Sequence, residues 1–283
     1  MMSCLAKIER ARPLLGTTVA IRVYGLQEAD ANRAIDQAFG EVALIHRLMS
    51  FHEPTSDVSR LNRDAHQRAV EVHPATLEVL KVAHDVSYAS EGAFDITIAP
   101  RLVAAGLLPN IDAAPADPAA SWRDIEIARH NRIRFHRPLW IDLGGIAKGF
   151  AVDRATKTLK EHGAVQGCVN AGGDLAVFGP DSERVALRIA SLHADALPVV
   201  EVENAAVASS GSEESPGVHL DGRTKRALGS DIFACVIAGT CIEADALTKV
   251  VLALKERCQP VMQRYRAAAH LYDAAHGWRH FGA

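Results

Sequence analysis

The sequence predicts an α+β fold. Strand-like and helix-like segments are interspersed along the chain without the steady strand–helix–strand rhythm of a doubly wound parallel sheet. An alternating run is followed at once by a long amphipathic helical pattern, and the chain closes on two short strand-like runs spaced as a hairpin. A GxGxxG turn is absent where a dinucleotide-binding sheet requires one.

Taken in order, Thr18 to Tyr24 alternates, with Val19, Ile21 and Val23 on one side of a half-buried strand. Gln27 to Met49 sets Ala31, Ala34, Ile35, Ala38, Val42, Ile45 and Leu48 on one helix face. A turn-rich segment, Ser50 to Asp57, precedes Val58 to Asn62. Pro74 opens a second helix that ends near Gly92. Gly92 to Pro100 is compact and turn-bounded, and Leu108 to Ala120, rich in Pro, Ala and Asp, reads as a mobile loop or linker. One domain over 1–283 is expected, with 108–120 as the place for a sub-domain break.

Leu139 to Leu143 reads as a short apolar strand running through Gly144-Gly145 into a helix, which buries Val152, Ala155 and Leu159 and stops before Gly163. Strands follow over Gly167–Ala171 and Asp174–Phe178, around a bulge or tight bend at Gly172-Gly173. Val185–Ala190 and Val199–Val202 are further strands. Ala205 to Ser212 leads into a polar loop reaching His219 to Thr224. Ile232–Ala238 is a buried strand, Cys241–Leu254 a helix, and Ala268–Tyr272 with Trp278–Phe281 the closing hairpin.

Composition narrows the function. The 283 residues hold 48% apolar and 23% charged side chains, ordinary for a globular protein, and a net charge of −3 lacks the basic excess of nucleic-acid binders. Five cysteines form no CxxC pair, which fits reduced thiols. Met1 to Lys7 has no apolar signal-peptide region and no run is long enough to cross a bilayer, so a cytoplasmic protein is expected. HExxH, metal-spaced histidine pairs and GxSxG are absent, and Ser209-Ser210-Gly211 has no nearby histidine and acid to make a nucleophile.

The stretch from Trp140 to Asp153 carries the chemistry. Glycines at a strand-to-helix turn let backbone N–H groups approach an anion, and the helix start adds partial positive charge. Lys148 falls in the first helical turn, where a cation opposes the dipole. That placement suits a turn facing phosphate, and equally a lysine snorkelling into solvent. Asp142 and Asp245 both sit near a strand–helix boundary. Asp245 and Thr248 share a helix face, a carboxylate and hydroxyl adequate for magnesium, whose shell phosphate and water complete. Lys249 shares that face. The same spacing suits a carboxylate that merely supports the helix start beside a solvated lysine.

In order, LLGTT, SFHEPTSDVSRLN, GAFDITIAP, DLGGIAKGFAVD, VNAGGDLAVFG, ASSG, HLDGRT and EADALTKVV resemble the FAD:protein FMN transferases, the ApbE-like flavin transferases. The resemblance runs from about Leu14 to Leu254 and implies an ApbE-like fold of mostly antiparallel sheets flanked by helices. It implies a magnesium-dependent enzyme that splits FAD, passes FMN to a Ser or Thr hydroxyl of a target flavoprotein, and releases AMP. Carried over by position, Leu15, Phe51, Ala93, Phe94, Asp95, Asp142 and Lys148 match flavin-nucleotide contacts. Gly145, Asp245 and Thr248 match the metal site, and His219, Asp245 and Lys148 the catalytic set.

The chain departs from the family pattern at three points. Many members carry the threonine ligand four residues after the aspartate, where Lys249 stands here. The histidine loop is shorter than the usual HIIDPxTG and has Gly222 in place of proline. Most relatives carry an export signal, which this chain does not show. The rival readings are an FAD-binding protein or FAD pyrophosphatase without protein transfer, and a scaffold that binds no ligand.

Overall fold

The computed structural model describes residues 7–187, 189, 198–211, 219–229 and 231–282. Cys4, the expected strand end at Ala190 and the polar loop over 212–218 lie outside them. Strands β1 (Lys7–Leu14) and β2 (Thr17–Tyr24) open the chain, followed by α1 (Glu28–Met49), α2 (Asp57–Asp64), β3 (Val70–Glu71), α3 (Pro74–Ala89) and α4 (Ala99–Ala104). Next come β4 (Ile125–Ile127), β5 (Arg132–Phe135), α5 (Ala147–Glu161), β6 (Gln166–Ala171), β7 (Asp174–Phe178), β8 (Glu183–Ala186), β9 (Val199–Val202) and β10 (Ala206–Gly211). The chain continues through β11 (Leu220–Asp221), β12 (Arg226–Ala227), β13 (Ile232–Ala238), α6 (Cys241–Leu254), α7 (Gln259–Tyr265), β14 (Ala268–Asp273) and β15 (Gly277–Gly282).

Eight strands form the main sheet in the order β1-β2-β6-β7-β10-β13-β14-β15, every pair antiparallel. Its central strands are apolar on both faces because both faces are covered. Val169, Ala176, Ala208, Ala234 and Val236 point into the core shared with α1, α5 and α6. Their neighbours Cys168, Leu175, Val177, Val207 and Cys235 point the other way, against Val200 and Val202 of the β8–β9 hairpin.

Two two-residue hairpins turn side by side at one end of the sheet. Leu15-Gly16 joins β1 to β2 with φ of 55° and 70°, and Gly172-Gly173 joins β6 to β7 with φ of 63° and 100°. The bulge or tight bend expected at the glycine pair is this tight turn. A β-carbon on Gly172 would stand 2.4 Å from Thr17 Oγ1, so glycine there serves both backbone conformation and the close approach of the two turns.

The strand expected over Leu139–Leu143 does not form. Leu139, Ile141 and Leu143 are buried alternately as a strand would bury them, yet no neighbouring strand pairs with them. The Asn62 side chain substitutes for one: Ile141 N–H donates to Asn62 Oδ1 (2.8 Å) and Asn62 Nδ2 donates to Ile141 O (3.0 Å). Asp142 N–H donates to Ile96 O at 2.9 Å. Asn62 is placed by α2, a helix that the turn-rich reading of its surroundings passed over and whose N-cap is the Ser56 side chain. Residues 108–120 carry no regular structure but are tied down, Trp140 Nε1 donating to Ala114 O (2.9 Å) and Asp117 N–H to Pro138 O (2.8 Å). Among the described residues no helix is long and apolar enough to cross a membrane.

Candidate active site

A cleft of about 1340 Å³ opens where the two hairpin turns, the end of β10, the start of α5 and Lys249 of α6 meet. Leu15, Phe51, Ala93, Phe94, Asp95, Asp142, Gly145, Lys148 and His219 all line it, as does Lys249. Asp245 and Thr248 lie behind Lys249, 1% and 0% exposed. Residues read as one site from distant stretches of sequence thus share one cavity and the layer directly beneath it.

The floor is the crossing of α5 and α6. A β-carbon on Gly149 would come within 2.2 Å of Cys241 O and 2.9 Å of Asp245 Cβ, so only glycine admits the two helices at this separation. Each helix then gives a carboxylate to the other's backbone. Asp245 Oδ2 accepts from Gly149 N–H at 3.1 Å, and Asp153 accepts from Cys241 N–H and Ile242 N–H, both at 2.8 Å.

Two ammonium groups stand over this crossing. Lys148 Nζ pairs with Asp174 Oδ2 at 2.9 Å, and Lys249 Nζ with Asp245 Oδ1 at 2.5 Å and Asp245 O at 3.1 Å. Burial pulls the Lys148 pKa down, but the charges of Asp174 and Asp245 outweigh it and leave it above the usual lysine value. Burial, then the Asp245 charge, raises Asp174 to about 6. Burial also raises Asp142, whose Oδ2 accepts from Gly144 N–H at 3.1 Å.

His219 is held neutral. Burial and then the Lys249 ammonium lower its pKa to about 4. Its Nε2 lies 3.2 Å from Gly211 O; a carbonyl only accepts, so Nε2 carries the proton and Nδ1 the lone pair. The residue rides on the β11–β12 hairpin, which is clamped to the segment around Asp95. Gly222 N–H donates to Ala93 O (3.0 Å), and Lys225 Nζ donates to Asp95 Oδ2 and Thr97 Oγ1, both at 2.7 Å. Gly222 explains itself: a β-carbon there would lie 2.3 Å from Gly92 O, and proline has no N–H to give. Asp95 is accordingly a clamp for the histidine hairpin, with Thr97 taking its other oxygen through N–H and Oγ1 (both 2.8 Å).

The apolar wall has its own device. Leu15 is a non-glycine residue at positive φ, a conformation costing about 1 kcal/mol, and it holds that side chain at the cleft mouth beside the turn at Gly172. Phe51 and Phe94 are each 5% exposed and present aromatic surface to the cavity.

The donors do not fit a divalent cation as arranged. Both oxygens of Asp245 are engaged, one by Lys249 and one by Gly149 N–H. Thr248 Oγ1 donates to Asp245 O (2.7 Å) and shares a hydrogen bond with Ser210 Oγ (2.9 Å); Ser210 lines the cavity, while Thr248 is wholly buried beneath it. The Lys249 stem fills the space beside Gly145, where a β-carbon would meet its Cε at 3.2 Å. Among the described residues no group of three or more His, Cys, Asp or Glu is placed to hold a metal.

Sequence reasoning missed Asp174, Asp153 and Gly149 as site-building residues. Asp174 did carry a signal, being the lone carboxylate of an otherwise apolar, fully buried strand.

The sequence model of the ApbE family matches residues 15–271. An FAD:protein FMN transferase of Vibrio cholerae is 26% identical over 277 residues, covering 88% of this chain and 82% of that protein. One from Klebsiella pneumoniae is 23% identical over 286 residues, covering 91% and 81%. Among solved structures, the ApbE protein from Thermotoga maritima superposes with a TM-score of 0.85 at 24% identity, over 98% of this chain and 97% of the other. Flavin transferase ApbE from Vibrio cholerae superposes with a TM-score of 0.82 at 23% identity, over 99% and 97%.

Proposed function

The chain belongs to the ApbE family, and on that premise we propose that it is an FAD:protein FMN transferase, moving FMN from FAD to a Ser or Thr hydroxyl of a target flavoprotein and releasing AMP. The observation that carries the reading is the crossing of α5 and α6, which sets Lys148 and Lys249 over one cavity whose wall bears Leu15, Phe51 and Phe94. An aromatic and aliphatic wall suits a flavin ring, and two ammoniums suit the diphosphate next to it. Four buried free thiols, Cys168, Cys235, Cys241 and Cys258, agree with work in a reducing, cytoplasmic setting.

The transfer is an in-line displacement at the FMN phosphorus. The acceptor oxygen forms the new P–O bond, the P–O bond to the AMP phosphate breaks, and AMP leaves with the electron pair. Lys148 and Lys249 hold and neutralise the phosphate oxygens. His219, fixed by Gly211 O with its lone pair on Nδ1, takes the proton from the attacking hydroxyl. Magnesium enters the family's chemistry as charge neutralisation on the phosphates; the donors described above do not provide for it, and no step here runs through it.

Incubation with FAD and a flavoprotein bearing an acceptor hydroxyl is expected to give a protein adduct heavier by FMN, together with AMP, in a mass spectrum. His219→Ala is expected to lose the adduct and keep FAD binding. Free FMN and AMP without adduct would replace transfer by pyrophosphate hydrolysis, and FAD binding without any product would leave a binding protein.

A further inference from the structure

Resting on the reading of this cleft as an FAD diphosphate site, we infer that the ammonium of Lys249 is the site's resident cation, so that this chain binds FAD without a divalent metal. Lys249 pairs with one and crowds a second of the three positions that the sequence resemblance gives to a metal. Its Nζ lies on the Asp245 carboxylate, and its Cε stands 3.2 Å from where a β-carbon of residue 145 would be. The third, Thr248, is wholly buried and turned to Ser210. A cation placed between Asp245 and Gly145 would have to expel this side chain first.

The pairing is well supported by its surroundings. Lys249 is four residues after Asp245 on α6, the favourable order and spacing for a carboxylate–lysine pair on a helix. Asp245 is 1% exposed and the lysine side chain 19%, so the carboxylate is held in place while the ammonium keeps access to the cavity. A buried carboxylate stripped of its partner is costly, which opposes displacement of the lysine by a weakly held ion. The ammonium differs from a metal in one respect: it is fixed to the chain and present whatever the ionic medium.

The test is FAD affinity, read by flavin fluorescence or calorimetry, in excess EDTA and in excess MgCl₂. The expected result is a dissociation constant unchanged within about twofold, against a loss of tenfold or more for a metal-borne phosphate contact. A tenfold loss in EDTA that MgCl₂ restores overturns the inference while leaving the FAD reading intact. Absence of FAD binding in both media overturns the FAD reading and the inference with it.

Lys249→Thr supplies the converse. It removes the stem from Gly145 and sets an oxygen one turn from Asp245, where a divalent cation then has donors and room. FAD affinity is expected to fall about tenfold in EDTA and to recover in MgCl₂. Wild-type affinity for this variant in EDTA overturns the inference. Should the variant fail to fold by circular dichroism, the wild-type comparison decides alone.

Discussion

The helices α5 and α6 cross close to their starts, and their first turns are finished differently. The start of α6 is closed: Asp153 of α5 accepts its first two free N–H groups, Glu243 sits in its first turn, and Thr240 Oγ1 donates to Glu243 Oε2 at 2.8 Å. The start of α5 has no side-chain cap and no acid in its first turn; it has Gly144, Gly145 and Lys148, all on the cleft. One end is satisfied by protein and serves the fold. The other opens on the cleft with the Lys148 side chain, its Ala147 N–H bonded to Leu143 O and its Gly149 N–H to Asp245. The reciprocal carboxylates keep both ends in register, Asp245 bonding Gly149 N–H within the first turn of α5.

The crossing itself is where both helix starts are most directly perturbed. Gly149→Ala places a β-carbon 2.2 Å from Cys241 O and 2.6 Å from Cys241 C, backbone atoms that no rotamer change relieves. The expected cost is about 3 kcal/mol of unfolding free energy, at the upper end of overpacking effects, measured by urea denaturation. FAD binding should fall with it because both helix starts are displaced. A midpoint within error of wild type would mean that the helices are not held as closely as the glycine requires.

How far the sequence disclosed this arrangement depends on how local each signal is. Lys148 and Asp245 stood out because each is anomalous within its own helix, and α1, α3, α5, α6 and β13 followed from periodicities within single segments. The short apolar run Leu139–Leu143 forms no strand because Asn62, 79 residues earlier, satisfies Ile141 in place of a neighbouring strand. β1 went unread since Lys7–Leu14 is a charged, largely exposed edge strand without the alternation that marks a half-buried one. Asp153, 88 residues from Cys241, and Gly149 acquire their meaning only when α5 and α6 touch. Lys249 was legible as a departure from a pattern, but its two contacts were not.

Asp153→Ala sharpens the comparison by opening the closed end alone. Loss of the cap on α6 is expected to cost about 1 kcal/mol at pH 7. Asp153 does not line the cleft, so FAD affinity should hold. Burial raises its carboxyl in the folded chain to about 6, above the value of 3.8 in a free side chain. Between pH 7 and pH 5 the folded chain therefore takes up a proton that the unfolded chain does not, and wild type gains stability the variant lacks. The cost of the substitution should grow by about 1 kcal/mol over that fall, by denaturation at the two pH values. A cost that shrinks instead would show that the helix end holds the carboxylate charged, its N–H groups outweighing burial.

The smallest effect belongs to the open end. Gly145→Ala sets a β-carbon 3.2 Å from Lys249 Cε and 3.7 Å from its Cδ, both on a flexible stem, and Gly145 does not occupy positive φ. Stability should change by less than about 1 kcal/mol, because a long side chain yields where a backbone does not. FAD affinity separates two ways for the α5 start to hold phosphate. If the two ammoniums dominate, Lys249 shifts by a few tenths of an ångström and binding weakens less than about threefold. If close approach of the glycine backbone dominates, the added carbon stands between phosphate and the N–H groups and binding is lost. The first outcome is expected, since the nearest atoms to that β-carbon belong to Lys249, which already stands between Gly145 and Asp245.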